Sequence, residues 1–319
     1  MSEETYKSLN TAMTKEDSYK TSPILLEIKN VCKSFISKKS ESKAVDHVSF
    51  TIREGETYAL VGESGCGKTT TGRLILRLLE ADEGDILFEG VPINKLSTRE
   101  LQKKRHTIQV IFQNPYGSLN PRMKISTLLA EAISIRAEKP CDIQAEAERL
   151  LLSVGLAKEH LHKYPHEFSG GQRQRICIAK AIATHPKLII CDESVSALDL
   201  LVQAQILGLL QKLQKEHGFS YLFISHDLSV VRYMSDRIGV MCNGKIVEEG
   251  RSEDIFGNPQ HSYTKLLLAS LPTLKNADTV ITTHIQKGTE IYQKALRDVK
   301  EHSNTKRKVN QEHYVLLYQ

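Results

Sequence analysis

Short apolar stretches alternate with longer segments of helical pattern along most of the chain. The apolar or alternating stretches of strand length predict strands, which cover residues 24–29, 44–52, 56–61, 106–112, 188–191 and 219–224. The longer segments between them predict helices, which cover residues 69–80, 172–183, 200–217 and 228–234. Strands that alternate with helices form a parallel sheet covered on both faces, so the pattern indicates an α/β fold.

Two regions depart from this alternation. Residues 122–167 are mostly helical in pattern and contain few strand formers, which predicts a helical subdomain of about 116–170 inserted in the core. Residues 238–247 predict a terminal hairpin, because Asn243 and Gly244 at their centre form a typical hairpin turn.

The two ends of the chain are polar. Residues 1–22 are rich in Lys, Glu, Ser and Thr and predict a disordered tail. Residues 273–319 form a polar, basic extension, in which 302–308 are predicted to be mobile and 314–318 are a short apolar end of open role. The globular domain is therefore predicted to cover residues 23–272.

Composition excludes several classes of protein. Of the 319 residues, 40% are hydrophobic and 25% charged, and no window approaches the roughly 18 to 20 apolar residues of a membrane-spanning helix. The six cysteines form no CxxC pair, which argues against a zinc site and a disulfide framework and fits the reducing cytoplasm. The net charge of +5 is spread over 43 basic and 38 acidic residues and indicates little about partners.

A phosphate-binding loop follows the strand at 56–61. The segment Gly62-Glu-Ser-Gly-Cys-Gly-Lys-Thr69 lies between that strand and a predicted helix, which is the context the motif requires. Its glycines let backbone amides converge on phosphates, Lys68 reaches the β and γ oxygens, and Thr69 is a ligand for Mg²⁺. The sequence therefore predicts a nucleotide site here.

Two carboxylates end the apolar strand at 188–191. Asp192 and Glu193 can be solvated residues at the end of a buried strand, or they can belong to the same site. The carboxyl ends of parallel strands face the ligand crevice in such sheets, so Asp192 is placed to hold Mg²⁺. Glu193 is then the candidate for orienting and deprotonating the attacking water.

The segment Ser169-Gly-Gly-Gln172 begins a predicted helix and has two interpretations. Ser169 can be an ordinary helix N-cap. Alternatively, the serine hydroxyl, the glycine amides and the helix N-terminus form a second cradle for phosphate. A chain with one phosphate loop and a second anion site needs an explanation.

Phosphate loop, Ser-Gly-Gly-Gln segment and acidic strand end, in this order, resemble the ATP-binding cassette (ABC) family. The resemblance implies a P-loop ATPase fold with a parallel-sheet core, an N-terminal antiparallel β subdomain and an inserted helical subdomain. It also implies that two cassettes stack head to tail, so that each ATP lies between one partner's phosphate loop and the other's Ser-Gly-Gly-Gln segment. ATP and Mg²⁺ are the implied cofactors.

Four further positions match the family. Gln113 resembles the glutamine that contacts Mg²⁺ or water, Asp199 the loop that touches the opposite site, His226 the histidine that steadies Glu193, and Phe35 the aromatic under adenine. Taken alone, these residues would be a surface glutamine, a helix cap, a structural histidine and a core phenylalanine. The full assignment gives catalytic roles to Glu193, His226 and Gln113, metal contacts to Thr69, Gln113 and Asp192, and nucleotide contacts to Phe35, Gly62, Glu63, Ser64, Gly65, Cys66, Gly67, Lys68, Thr69, Thr70, Ser169, Gly170, Gly171, Gln172 and Asp199.

The resemblance covers about 24–272 and is closest to the ATPase subunits of bacterial oligopeptide and dipeptide permeases. The segments at 112–122, 164–175 and 258–264 carry this narrower match. Ser194 and Ser262 stand where the family has proline, which loosens the backbone without removing a catalytic group. The tail lacks the cysteine-containing segment of many relatives, which argues against an iron–sulfur cluster.

The resemblance implies an ATPase subunit at the cytoplasmic face of the membrane that powers import of oligopeptides. Its implied partners are a second, different ABC subunit, two transmembrane permease subunits and, indirectly, a substrate-binding protein, with no nucleic acid. Dipeptides, nickel or a metal chelate are alternative cargoes. A soluble cassette acting on ribosomes or DNA, or a catalytically silent subunit, are less favoured, since neither a second cassette nor a damaged motif is present.

Overall fold

The computed structural model describes residues 22–37, 40–136, 142–269, 306–310 and 312–316. The predicted tail at 1–22 lies outside these residues apart from Ser22, and so does most of the predicted extension at 273–319.

The strands of the described residues are β1 (Ile24–Ser37), β2 (Ser40–Arg53), β3 (Thr57–Val61), β4 (Glu83–Phe88), β5 (Val91–Pro92), β6 (Ile108–Phe112), β7 (Leu188–Asp192), β8 (Ser220–Ser225), β9 (Arg237–Cys242), β10 (Lys245–Arg251), β11 (Lys306–Lys308) and β12 (Tyr314–Leu316). The helices are α1 (Lys68–Ile75), α2 (Thr98–Lys104), α3 (Pro115–Ser118), α4 (Ile125–Arg136), α5 (Ile143–Ser153), α6 (Gly170–Ile182), α7 (Leu200–His217), α8 (Leu228–Met234), α9 (Ser252–Gly257) and α10 (Ser262–Ala269).

The strands form two sheets. The larger sheet has the order β11-β12-β10-β9-β3-β8-β7-β6. Its strands from β9 to β6 run parallel to one another, while β10, β12 and β11 add antiparallel neighbours at one edge. The smaller sheet is antiparallel, with the order β2-β1-β4-β5. This arrangement confirms the predicted α/β fold with a parallel core and an N-terminal antiparallel subdomain.

The larger sheet separates two hydrophobic cores because side chains alternate along its strands. Ala59 and Val61 of β3 lie in the core formed with α4 to α8. Tyr58 and Leu60 point to the other face and pack with the antiparallel sheet and α1. The loop that follows β3 therefore starts from a strand that is buried on both faces.

The segment predicted to be a helical subdomain contains α4 and α5, followed by 3-10 turns at Lys158–His162 and Pro165–Glu167. Asp142 caps α5 by accepting hydrogen bonds from the amides of Gln144 and Ala145. Helix α4 packs against both α5 and α6, so this helical segment is joined to the core through α6. Its bounds of about 116–170 stay a prediction.

Several elements differ from the sequence-based prediction. Helix α1 ends at Ile75 rather than at residue 80, because Arg77 adopts a left-handed backbone with φ 53° that cannot continue a right-handed helix. Strand β4 and helix α2 were not predicted. A signal for α2 was present, since Ser97 and Glu100 form a capping box at its start.

The hairpin predicted at 238–247 is confirmed as β9 and β10, with Asn243 and Gly244 both at positive φ in the turn. The prediction that 302–308 are mobile is wrong for Lys306–Lys308, which form β11. The apolar residues of β12 pair with β10, where Val315 is the partner of Glu248. The short apolar segment predicted without a role therefore contains strand β12, which extends the larger sheet.

A buried contact between a histidine and a glutamate holds this terminal strand. His313 Nε2 lies 2.7 Å from Glu248 Oε1, and both side chains are almost fully buried. The same carboxylate accepts the amide hydrogens of Gln260 at 2.7 Å and His261 at 2.9 Å. Glu248 therefore joins β10, the start of α10 and the terminal strand.

Replacing His313 with Ala should lower the free energy of unfolding by about 1 to 3 kcal/mol, because a buried carboxylate loses one of its donors. Chemical denaturation of the full chain measures this change. His162→Ala is the matched control, since that histidine is exposed in a 3-10 turn. Equal stability of the His313 variant and wild type would contradict the anchoring role of the pair.

Candidate active site

Three glycines shape the loop between β3 and α1. Gly62, Gly65 and Gly67 have φ of 151°, 82° and 111°, a region that side chains disfavour. A Cβ at Gly62 would lie 2.1 Å from the Met241 carbonyl oxygen, and one at Gly67 would lie 2.1 Å from the Ala44 carbonyl oxygen. Neighbouring backbone therefore leaves no room for a side chain at either end of the loop.

The Lys68 side chain is buried inside this loop. Its ammonium group donates to the carbonyl oxygens of Gly62 and Glu63, both at 2.7 Å. Both acceptors are neutral, so the ammonium group can form a stronger, charge-assisted hydrogen bond with an anion that enters the loop. The amides at the start of α1 add the favourable end of a helix dipole at the same place.

Thr69 of α1 and Asp192 at the end of β7 meet at the edge of the sheet where the parallel strands end. Thr69 Oγ1 donates to Asp192 Oδ1 at 3.0 Å. Burial raises the pKa of Asp192 above its ordinary value, against the lowering effect of the Thr69 hydroxyl, and the neighbouring Glu193 raises it further. A hydroxyl and a carboxylate are the hard oxygen ligands that Mg²⁺ prefers, so this pair fits that ion.

Glu193 and His226 form the second contact of the site. Glu193 has a left-handed backbone with φ 49°, and its amide donates to the Ile224 carbonyl of β8 at 2.9 Å. Strained backbone of this kind in a residue with a side chain is concentrated at functional sites. The Glu193 carboxylate lies 3.1 Å from His226 Nδ1, so the strands β7 and β8 together fix its orientation.

Gln113, directly after β6, reaches the same region. Its Nε2 donates to Ser196 Oγ at 3.3 Å, and the Ser196 hydroxyl donates to the Glu193 carbonyl at 3.0 Å. The Gln113 loop is therefore connected through one side chain to the backbone of Glu193.

The Ser-Gly-Gly-Gln segment begins α6. Ser169 Oγ accepts the amide hydrogen of Gln172 at 3.3 Å, while Gln172 Oε1 accepts that of Ser169 at 3.0 Å. This capping box confirms that Ser169 is the N-cap of α6. It leaves the amides of the first helical turn, at Gly170 and Gly171, pointing out of the helix start.

The same segment packs beside the Asp199 turn. A Cβ at Gly171 would lie 2.5 Å from Val202 Cγ1, so any larger residue there would force the Val202 side chain of α7 to move. Asp199 is exposed and caps α7 by accepting the Val202 amide hydrogen at 3.0 Å. Sequence analysis assigned Ser169 and Asp199 to the opposite site of a dimer, and the fold brings these two segments together on one surface.

Phe35 lies on β1 opposite Ser42 of β2 and is 45% exposed. Two residues further along β2, the Ala44 carbonyl covers Gly67 of the phosphate loop. Lys33 Nζ sits 5.9 Å from the centre of the Phe35 ring. A half-exposed aromatic ring next to the loop is available for stacking on a base.

Two contacts of the site were missed by sequence analysis. Tyr263 of α10 accepts the amide hydrogen of Glu63 with its hydroxyl at 3.2 Å. Gln174 of α6 donates to the carbonyl oxygen of Ser194 at 2.7 Å, and both residues are buried. The proline of the family would present the same carbonyl as Ser194. Both contacts join residues distant in sequence, and no local pattern indicates them.

Three side chains with metal-binding atoms also meet outside this site. The ligand atoms of Cys32, Asp46 and His47 lie within 4.8 Å of one another. The Asp46 carboxylate is 3.5 Å from both the Lys43 and the Lys245 ammonium groups. These two lysines neutralise the carboxylate without a metal ion.

Comparison with known proteins identifies the family. Residues 45–196 match the family model described as ABC transporter, and residues 247–298 match the oligopeptide/dipeptide transporter, C-terminal region. The oligopeptide transport ATP-binding protein OppF of Bacillus subtilis is 51% identical over 251 residues, which are 78% of this chain and 82% of that protein. The chain therefore belongs to the ABC transporter family, among its ATPase subunits.

A second relative and a solved structure agree with this assignment. The dipeptide transport ATP-binding protein DppF of Lactococcus lactis subsp. cremoris is 49% identical over 254 residues, 78% of this chain and 81% of that protein. The ATP-binding cassette MJ0796, solved as a dimer in a post-hydrolysis state with ADP and Pi, superposes with a TM-score of 0.66 at 28% identity and covers 72% of this chain and 99% of its own. In the described part of this chain, every helix is too short or too polar to cross a membrane.

Proposed function

We propose that this chain is the ATP-hydrolysing subunit of a bacterial importer of oligopeptides, bound to two membrane permease subunits at the cytoplasmic face. The observation that carries the ATPase assignment is the Glu193 carboxylate, fixed by His226 beside the Thr69 and Asp192 pair. The C-terminal match and the oligopeptide transport relative support the cargo.

In the proposed mechanism, Lys68 moves from the carbonyl oxygens of Gly62 and Glu63 to the β and γ phosphate oxygens of ATP. Its ammonium then stabilises charge that develops on the phosphoryl group. Thr69 and Asp192 would hold Mg²⁺, which neutralises phosphate charge when it is bound. Gln113 is the further candidate contact to this ion.

Glu193 activates the attacking water. Its carboxylate accepts a proton from the water as the oxygen attacks the γ-phosphorus, and the bond from that phosphorus to the β-γ bridging oxygen breaks. The products are ADP and inorganic phosphate. His226 keeps the carboxylate in place through the contact at 3.1 Å.

The Ser-Gly-Gly-Gln segment is proposed to bind ATP held by a partner cassette. In support, Ser169 and Asp199 lie on one exposed surface next to Leu200 and Leu201, which are 83% and 71% exposed. Two adjacent exposed leucines at a helix start fit an interface that is buried when two cassettes close. We favour a different ABC chain as the partner, so that the complex is a heterodimer.

Replacing both Leu200 and Leu201 with Ser should weaken ATP-dependent association of the cassettes by roughly 10-fold to 100-fold, because their apolar burial is lost. Stability of the isolated chain should not change, since both side chains are already exposed. Sedimentation with ATP in a Glu193→Gln background measures the association. Leu78→Ser, at a leucine that is 52% exposed, is the control, and equal association of both variants would exclude this surface.

Dipeptides are the second candidate cargo, since the dipeptide transport relative covers the chain as fully as the oligopeptide one. Isolation of the native membrane complex tests the proposal, because it identifies the partner cassette, the permeases and the binding protein together. Uptake competition between oligopeptides and dipeptides in cells that depend on this chain then decides the cargo. A chain that co-purifies with ribosomes or DNA instead would overturn the proposal.

A further inference from the structure

A tyrosine from the C-terminal part of the chain contacts the phosphate loop. The Tyr263 hydroxyl on α10 accepts the Glu63 amide hydrogen at 3.2 Å, across 200 positions of sequence. The ring is 1% exposed and belongs to the same core as Val240 and Cys242 of β9. Burial raises the pKa of Tyr263 well above its ordinary value, so the hydroxyl stays neutral.

This contact holds one end of a specific peptide unit. The peptide group between Gly62 and Glu63 presents its N–H to Tyr263 and its carbonyl to Lys68 Nζ, at 3.2 and 2.7 Å. When Lys68 turns to an incoming phosphate, that carbonyl loses its donor. The bond from Tyr263 then remains to fix the orientation of this peptide at the start of the loop.

Tyr263 is itself held rigidly against the main sheet. Its amide donates to His261 Nδ1 at 3.1 Å, and the His261 amide donates to Glu248 Oε2 at 2.9 Å. Glu248 lies on β10 and is almost fully buried. The hydroxyl is thus presented to the loop from a fixed base, which is the condition for preorganising a binding site.

We propose that Tyr263 is a positioning residue for the phosphate loop, through which the C-terminal region of the chain raises the affinity of the site for ATP. This inference rests on the proposed role of the loop in holding the phosphates of ATP. The competing interpretation is that the hydroxyl only satisfies a buried amide and contributes to the stability of the fold.

Tyr263→Phe removes the hydroxyl and keeps the ring, so it tests the proposal directly. We expect the dissociation constant for a non-hydrolysable ATP analogue to rise roughly three- to tenfold, as for the loss of one hydrogen bond. The turnover number of the assembled transporter at saturating ATP should be unchanged, because Tyr263 does not touch the reacting atoms. The matched control is Tyr221→Phe, which removes another buried hydroxyl. Tyr221 lies on β8, and its hydroxyl donates to the Leu210 carbonyl of α7 at 3.0 Å.

The two variants separate the interpretations. Weaker analogue binding by Tyr263→Phe, with wild-type affinity in Tyr221→Phe, supports positioning. Equal affinities in both variants, or an equal loss in both, would overturn it in favour of a structural role.

Hydrogen exchange of the nucleotide-free full chain gives an independent measurement. The Glu63 amide should be protected in wild type and exchange faster in Tyr263→Phe. An unprotected Glu63 amide in wild type overturns the proposal even if the variant does not fold. Failure of wild type to bind ATP would refute the proposed function instead, and the exchange result would still decide whether Tyr263 orders the loop.

Discussion

Replacing Glu193 with Gln should leave ATP binding close to wild type and reduce hydrolysis by about 10²-fold to 10⁴-fold, the usual contribution of a general base. The amide has the shape of the carboxylate and can keep the contact with His226, which now lies 3.1 Å from Glu193. It cannot accept a proton from the attacking water. Phosphate release by the purified transporter, together with equilibrium ATP binding, measures the two effects separately.

The control for this variant is Glu216→Gln. Glu216 is an exposed residue of α7 that pairs with Lys212 at 3.7 Å, and neither residue belongs to the candidate active site. It should hydrolyse ATP as wild type does. Hydrolysis near the wild-type rate in Glu193→Gln would show that another group activates the water.

Replacing Lys68 with Ala should remove most of the affinity for ATP. The ammonium is buried, and its described acceptors are the carbonyl oxygens of Gly62 and Glu63 and the Cys66 sulfur, none of which is a carboxylate, so its charge is available to the phosphates. Truncating one partner of a buried charge pair costs about 2 to 5 kcal/mol, which corresponds to a loss of affinity of roughly 30-fold to 4,000-fold. Titration with a fluorescent ATP analogue measures this change.

Lys187→Ala is the matched control, because that lysine is half-exposed and pairs with Glu89 at the protein surface. Its affinity for ATP should equal that of wild type. Retained affinity in Lys68→Ala would mean that the loop amides alone hold the nucleotide.

Local sequence motifs predicted most residues of the candidate site. The strand, loop and helix around Lys68 could be predicted because an apolar strand, closely spaced glycines and a helical pattern are adjacent in sequence. Asp192 and Glu193 could be predicted because a fully buried strand shows as a continuous apolar run. The structure joins these segments through Thr69 Oγ1 and Asp192 Oδ1 at 3.0 Å.

Contacts between distant segments could not be predicted from the sequence. Strand β12 is only three residues long, and its pairing with β10 depends on the buried contact between His313 and Glu248. Tyr263 lies in the segment 258–264 that matches the peptide permease ATPases, and that match predicts no contact for its side chain. Its contact with Glu63 depends on the fold, which buries Tyr263 in the same core as Val61 of β3 and Cys242 of β9.

Uptake of a labelled oligopeptide by proteoliposomes that contain the complete transporter tests the central claim most directly. With ATP inside the vesicles, wild type should accumulate the peptide, whereas the transporter with Glu193→Gln in this chain should show uptake close to that measured without ATP. Peptide uptake by the Glu193→Gln transporter at the wild-type rate, or ATP hydrolysis by wild type without any peptide uptake, would contradict the assignment of this chain as the ATPase that drives peptide import.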